Sequence, residues 1–231
     1  MKNLSPDTTI AELVLERPSR ARVFERLGLD YCCGGKRSLA DACRRRGLDA
    51  EAVLASLDAE AAPTTDEPDL RGVPLGELCD HIVGVHHARL REELPRLSGL
   101  LTKVVRAHGK DHPEFAAQRD VFEELRSELE EHLEEEENVL FPVCAGLDAA
   151  GAPVWPDGLE LSAFEDDHAA VGAALERLSG LTGGYALEDA LCNTHRATLS
   201  GLAELSLDLH QHIHEENNIL FPRAIAILDR S

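Results

Sequence analysis

The stretch His132-Leu-Glu-Glu-Glu136-Glu-Asn-Val-Leu-Phe-Pro142 returns 80 residues later as His212-Ile-His-Glu-Glu216-Asn-Asn-Ile-Leu-Phe-Pro222. On a helix, residues four apart share a face, so each copy presents one imidazole and one carboxylate side by side. Both copies lie on apolar stripes of helical period, where the His and the Glu occupy positions that the pattern assigns to core leucines. The repeat therefore predicts two buried His/Glu pairs in a helical core.

A second pair of segments corresponds upstream of the two copies. His87 begins one segment and His168 begins the other, 81 residues further on. His168 lies on an apolar stripe with Val171 and Leu175, so we expect it to face inward. His86 is the rival of His87 as the ligand from this helix, because it also forms an i, i+4 row with apolar residues. The internal repeat favours His87.

These residues together predict a dinuclear metal site. A polar group inside a helical bundle costs about 1–3 kcal/mol unless a partner satisfies it. Two such pairs at matching heights imply that they share a partner. The predicted ligands are four histidines and two glutamates from four helices: His87, His132, Glu136, His168, His212 and Glu216. The set suits two first-row metals, each bound by two His nitrogens and bridged by the glutamates; iron or manganese is favoured, and zinc stays open.

Composition indicates an all-α globular protein. Hydrophobic residues make up 43% of the 231, aromatic residues only 4%, and we find no alternating strand pattern. The net charge of -20 argues against nucleic acid and anionic membrane as partners. Part of the acidic excess surrounds the first motif and is expected to be solvated. Glu128, one turn before His132, is placed to orient that ligand from outside the ligand set.

The sequence is that expected of a cytoplasmic protein. It has neither a signal peptide nor an apolar run of membrane-spanning length. Its six cysteines are scattered, and most lie in apolar helical contexts, so a disulfide framework is not expected. Reduced thiols agree with the cytoplasm.

Two domains are predicted. Residues 1–60 read as a small domain of three short helices, and residues 61–73 are a linker by composition. Residues 74–231 suit an antiparallel four-helix bundle. Its predicted helices run over about 75–107, 113–145, 160–180 and 186–228.

The N-terminal domain contains the segment Asp30-Tyr31-Cys32-Cys33-Gly34-Gly35-Lys36. Adjacent cysteines do not easily chelate one tetrahedral metal, and a disulfide between them would be strained. The two glycines let the backbone turn tightly and approach a neighbour closely. Cys32 and Cys33 are therefore either a structural pair or thiols presented to a ligand, a metal or a partner.

The chain resembles the RIC family of di-iron proteins, also called YtfE, ScdA or DnrN, which repair iron–sulfur clusters after nitrosative or oxidative stress. The resemblance covers nearly the whole length and rests on Tyr31-Cys-Cys-Gly-Gly35 and Glu216-Asn-Asn-Ile-Leu-Phe-Pro-Arg223. It implies an N-terminal ScdA-type domain, a hemerythrin-like bundle, and two iron ions per chain bound by the six ligands given above. It also implies partner proteins with damaged clusters, and a homodimer with the N-terminal domain at the interface.

The chain departs from family patterns in two respects. The family often has Tyr before the first ligand His and a further His three residues after it, where this chain has His86 and Leu90. Oxygen-carrying hemerythrins use five histidines, including an HxxxH pair, whereas the helices of His132 and His212 carry HxxxE. The second departure argues against a simple oxygen carrier.

Three functions compete at this point. The first is a repair protein that supplies iron to damaged clusters. The second is a redox enzyme that consumes nitric oxide or peroxide with electrons from a partner, since no flavin or nicotinamide motif is visible. The third is a sensor module that binds oxygen or nitric oxide. The sequence therefore leaves open whether the protein is an enzyme.

Overall fold

The computed structural model describes residues 4–59, 70–148 and 155–230. Within these ranges the chain consists of helices and the turns that connect them, together with one isolated β-bridge between Thr9 and Ser38. The all-α prediction is confirmed. Among the described helices, none combines the length and the apolar character that a membrane span needs.

Four α-helices precede the bundle in the described residues 4–59, one more than predicted. They are α1 (Ile10–Glu16), α2 (Ala21–Leu27), α3 (Leu39–Arg46) and α4 (Ala50–Ala59). The Thr9 hydroxyl accepts the Glu12 N–H while the Glu12 carboxylate accepts the Thr9 N–H, so a capping box starts α1. The unpredicted α4 follows Asp49, whose carboxylate accepts the Glu51 N–H.

The bundle consists of four long rods, three of which contain a five-residue π-helical turn. The rods are α5 (Leu75–Ile82), turn Val83–His87 and α6 (Ala88–His108); α7 (Glu114–Glu135), turn Glu136–Leu140 and α8 (Phe141–Leu147); α9 (Leu161–Leu181); and α10 (Asn193–Glu215), turn Glu216–Leu220 and α11 (Phe221–Leu228). α7 lies between α6 and α9, and α10 packs on the other side of α6. The predicted helices match these rods except for the start of the last one.

The fourth rod begins later than the period suggested. Residues Leu187–Asp189 form a separate 3-10 turn, and α10 starts only at Asn193, where the Cys192 sulfur accepts the His195 N–H. The apolar residues between 186 and 192 therefore lie in a connection and not in the helix. Leu187 and Leu191 are accordingly exposed.

Three clusters of buried apolar residues form the interior of the part of the chain that the structure describes. The first four helices enclose their own core, with Phe24, Tyr31 and Leu39 fully buried. In the bundle, one cluster fills the long part of the rods and a second fills the end formed by α5, α8 and α11. The predicted ligands lie along the rods between these two clusters. Since the predicted linker falls mostly on residues 60–69, outside the described residues, the domain boundaries stay a prediction.

The loop that carries the two cysteines docks on the bundle. Cys32 is part of the bundle core and not of the N-terminal core. The Tyr31 carbonyl accepts a hydrogen bond from His214 Nδ1 at 3.2 Å, and the Cys32 carbonyl accepts one from Asn218 Nδ2 at 3.1 Å. Lys36 adds an exposed ion pair with Glu165 at 2.7 Å. The loop therefore joins the N-terminal helices to α9 and α10.

Gly35→Ala is expected to destabilise the protein by about 1–3 kcal/mol, as overpacking a closely fitted site generally does. A Cβ at Gly35 would lie 2.5 Å from the Tyr31 carbonyl oxygen and 3.0 Å from Asn218 Oδ1. The measurement is urea-induced unfolding. Gly72→Ala is the matched control, because a Cβ there meets nothing within 4 Å. Equal stability of the two variants would contradict the close fit of the loop.

Candidate metal centre

The π-helical turns lie at the level of the predicted ligands. Each turn is closed by an N–H that reaches back five residues: Ala88 to Val83, Phe141 to Glu136, and Phe221 to Glu216. Such turns are rare in proteins, but those that occur are often found at functional sites. His87 ends one of them, and the two repeated glutamates begin the other two.

The four imidazoles meet in two pairs inside the bundle. His87 Nε2 lies 3.1 Å from His212 Nε2, and His132 Nε2 lies 3.0 Å from His168 Nε2. Two nitrogens bound to one metal at about 2.1 Å, with a right angle between the bonds, lie about 3.0 Å apart. The spacing within each pair therefore suits two ligands of a single ion.

The two glutamates join the pairs. Glu136 directs Oε2 at His87 Nε2 (3.4 Å) and Oε1 at His132 Nε2 (3.1 Å). Glu216 directs Oε1 at His212 Nε2 and Oε2 at His168 Nε2, both at 3.1 Å. Each histidine pair thus has one oxygen from each glutamate, which makes two sets of two nitrogens and two oxygens.

The two buried carboxylates of this cluster need positive charge beside them. Both glutamates are fully buried, and three of their four carboxylate oxygens have no hydrogen-bond partner among the described residues. Burial by itself would raise the pKa of Glu136, but the side chains of His132, His168 and His87 together hold that pKa well below its ordinary value. Two buried carboxylate anions are costly unless they are paired or bind metal. The nitrogen and oxygen donors fit two ions of iron, manganese or zinc.

Polar partners orient two of the imidazoles. His87 Nδ1 donates to Glu137 Oε1 at 2.7 Å, and His168 Nδ1 donates to Asn217 Oδ1 at 2.8 Å. Such partners direct the Nε2 lone pair into the cluster. His132 Nδ1 has no hydrogen-bond partner among the described residues, and an exposed Asp167 oxygen lies 3.5 Å from it. The prediction for Glu128 was wrong, because that side chain is exposed on α7 and Asp167 lies beside His132 instead.

An aromatic ring packs beside each imidazole. Phe141 stacks on His87, with ring centroids 5.5 Å apart, and Phe221 stacks on His168 at 5.9 Å. The phenylalanine of each Leu-Phe-Pro segment therefore covers a histidine from another helix. The other two imidazoles also have a ring beside them: Phe164 packs beside His132, and the His86 ring stacks on His212. His86, the rival ligand, thus lies outside the cluster, behind His212.

The two cysteines lie at the edge of the centre. Their sulfurs are 3.8 Å apart, and Cys33 Sγ is 3.5 Å from the His168 carbonyl oxygen. The hydrogen bond between the two thiols, together with burial, raises the pKa of Cys32, whereas the same hydrogen bond lowers the pKa of Cys33. The structure therefore brings the predicted thiol pair against the backbone of a predicted ligand.

Sequence reasoning missed His214 and Asn218, which hold this loop. In the first repeat the corresponding positions are Glu134 and Asn138, and both are exposed. The replacement of Glu by His at position 214 was the available signal, since it marks the one copy whose outer face is covered.

Two family models match the chain. Residues 80–224 match the hemerythrin HHE cation binding domain. Residues 6–61 match the ScdA_N model, which is described as a domain of unknown function. The chain is also similar to relatives named "Iron-sulfur cluster repair protein YtfE". The relative from Pectobacterium atrosepticum is 37% identical over 223 residues, which cover 95% of this chain and 97% of the relative. The relative from Escherichia coli O157:H7 is 38% identical over the same coverage.

Glu137→Ala is expected to weaken metal binding about 10–100-fold, the usual effect of removing an outer partner of a ligand histidine. The measurement is metal affinity by competition with a chelator. Glu128→Ala, which removes an exposed glutamate from the same rod, is the control and should bind as the wild type does. Equal affinities in both variants would mean that Glu137 does not orient His87.

Iodoacetamide is expected to modify Cys33 before Cys32. Cys32 is buried and its pKa is raised, whereas Cys33 is partly exposed and its pKa is lowered, so more of Cys33 is thiolate near neutral pH. A time course of peptide mass spectrometry measures the order. Modification of Cys32 at the same rate as Cys33 would contradict it.

Proposed function

The chain belongs to the family of YtfE iron–sulfur cluster repair proteins, and from that premise we propose that it restores damaged clusters by supplying iron. The iron is held as a pair of ions, and the proposed ligands are those predicted from the repeat: His87, His132, Glu136, His168, His212 and Glu216.

One observation carries this proposal. The six side chains form two equal donor sets, each with two imidazole nitrogens about 3 Å apart and one oxygen from each glutamate. All six are buried, so the sets are fixed by packing and are not chance meetings of surface charges. Glu136 and Glu216 each reach both positions, so they would hold both ions in one centre when metal is bound.

The donor chemistry supports release of iron to a cluster. The proposed ligands are nitrogen and oxygen atoms, and none of them is a thiolate. Iron–sulfur clusters hold iron with sulfide and cysteine thiolates, which are softer donors. A transfer from this centre to an incomplete cluster therefore moves iron from harder to softer ligands.

Cys32 and Cys33 have a proposed part in that transfer. Cys33 lies against the backbone of His168, and its lowered pKa favours the thiolate, which is the metal-binding form. We propose that this thiol contacts the iron or the client protein on the way out. The N-terminal helices, which position the loop, then serve as the docking element.

The proposal also covers the cellular compartment, the partners and the oligomeric state of the protein. The six cysteines are all free thiols, which suits a reducing compartment, and we propose that the protein acts in the cytoplasm. The net charge of -20 disfavours nucleic acid as a partner. A homodimer that pairs through the N-terminal helices is proposed on the family resemblance.

The test uses anaerobically loaded protein and a hydratase whose [4Fe–4S] cluster has been damaged by nitric oxide. We expect about two irons per chain, and recovery of hydratase activity faster than with free iron at equal concentration. Glu136→Ala should lose both ions, because its two oxygens serve both positions. His112→Ala removes a half-exposed histidine that pairs with Glu114 and stacks on Phe115, away from the proposed ligands, and it should behave as the wild type does.

Three outcomes would overturn the proposal. Iron binding that survives Glu136→Ala would refute the ligand set. Recovery no faster than with free iron would refute donation. Steady consumption of nitric oxide over many turnovers with a reductant, without cluster recovery, would identify a redox enzyme instead.

A further inference from the structure

Besides the two donor sets of the dinuclear cluster, the described residues contain a further group of side chains that could bind a metal, here called the third site. It consists of His81, His86 and Glu215, whose ligand atoms all lie within 4.8 Å of one another. His81 Nε2 is 3.6 Å from Glu215 Oε2, and His86 Nε2 is 3.5 Å from Glu215 Oε1. We propose that these three side chains form a mononuclear site for a divalent first-row cation such as iron(II).

The geometry within the group is that of a small site. Two donor atoms bound to one ion at about 2.1 Å with a tetrahedral angle lie about 3.4 Å apart. The observed distances are close to that value. Two histidines and one carboxylate are also the ligand set of many mononuclear iron(II) sites, which keep positions open for water or another ligand.

His86 is oriented as a metal ligand. Its Nδ1 donates to Asp208 Oδ1 at 3.1 Å, which places the lone pair on Nε2. That Nε2 is buried and has no hydrogen-bond partner among the described residues. A carboxylate behind a histidine is the usual arrangement at a metal ligand. Glu215 Oε2 is likewise buried without a hydrogen bond among the described residues, and it lies 3.6 Å from His81 Nε2.

A π-helical turn creates this group. His81 and His86 are five residues apart, and on a regular α-helix they would point about 140° away from each other. The turn Val83–His87 changes the register, so that the two ring centroids lie 6.2 Å apart. The same turn directs His87 into the dinuclear cluster. One distortion therefore serves both sites.

The group opens into a cavity of about 410 Å³ between the N-terminal helices and the bundle. Val14, Ala21 and Tyr31 line it from one side, while His81, His86 and Glu215 line it from the other. His81 is partly exposed, with 26% of its side chain accessible, so an ion can reach the group from solvent. The cavity has room for the water molecules that would complete the coordination of an ion.

The site lies directly behind the dinuclear cluster. The ring of His86 stacks on that of His212, with centroids 5.2 Å apart and planes 8° apart. Glu215 immediately precedes Glu216 in the chain. The arrangement gives the third site a role that rests on the proposed function: it holds iron as the ion passes between the cavity and the dinuclear centre.

Equilibrium dialysis of the iron-loaded protein against iron(II) under anaerobic conditions tests the site. His81→Ala and Glu215→Gln should each bind one ion fewer per chain than the wild type. Glu215→Gln preserves the shape of the side chain, and His81 lies at the protein surface, so both variants are expected to fold. His112→Ala, which removes a histidine elsewhere, is the control and should bind as many ions as the wild type.

The difference of one ion is independent of the dinuclear centre, whose occupancy is measured by the ions lost in Glu136→Ala. Failure of the proposed function and failure of the third site are therefore distinguishable. Equal metal contents in the wild type, His81→Ala and Glu215→Gln would overturn the third site. That result would mean that His86 is an imidazolium paired with Asp208 and Glu215.

The transfer role has its own readout. The rate at which the metal-free protein takes up iron(II) should fall several-fold in His81→Ala, while the iron finally held by the dinuclear centre is unchanged. His112→Ala should take up iron at the wild-type rate. Equal rates in all three proteins would overturn the transfer role.

Discussion

Two buried carboxylates, Glu136 and Glu216, are the constraint on which the rest of the bundle depends. Each lies fully inside the protein, with imidazoles from several helices around it. Without positive charge nearby, burying each of these anions would cost on the order of several kcal/mol, which is a large share of the net stability of a typical domain. The apolar clusters above and below the centre keep water out, and the rings of Phe141 and Phe221 hold two of the imidazoles in place. A dry, shaped interior is thus combined with a concentrated set of metal ligands.

The two repeated segments are alike on the face that points into the bundle and differ on the outer face. Their inner faces supply a His and a Glu each to the dinuclear cluster. On the outer face, Glu134 and Asn138 meet solvent, whereas His214 and Asn218 hold the cysteine loop through two backbone carbonyls. This asymmetry places the thiols on one side of the centre only. The two thiols therefore approach the symmetric set of donor atoms from one side.

Much of the architecture could be predicted from the chain alone. The four rods follow from the apolar period. All six predicted ligands come together because a polar residue on the apolar stripe of a helix is buried with that stripe. The same reasoning failed where local and tertiary signals disagree. The apolar residues before α10 continue its period but lie in a connection, and α4 was overlooked despite its cap at Asp49. Glu128 was expected to orient His132 because it is one helical turn away. Spacing along α7 does not show that α9 places Asp167 beside His132.

Sequence by itself determined which side chains are buried together: four histidines and two glutamates, since their spacing on amphipathic helices leaves them one face to occupy. Only the tertiary structure decided how they are shared. His87 pairs with His212, and His132 pairs with His168, because helix packing sets which rods face each other at that height. The π-helical turns were also invisible in the sequence pattern, which assumes one constant period. The turn Val83–His87 brings His81 close to His86, five residues away. It does so because a turn closed by a hydrogen bond between residues i and i+5 rotates the helix face that follows it.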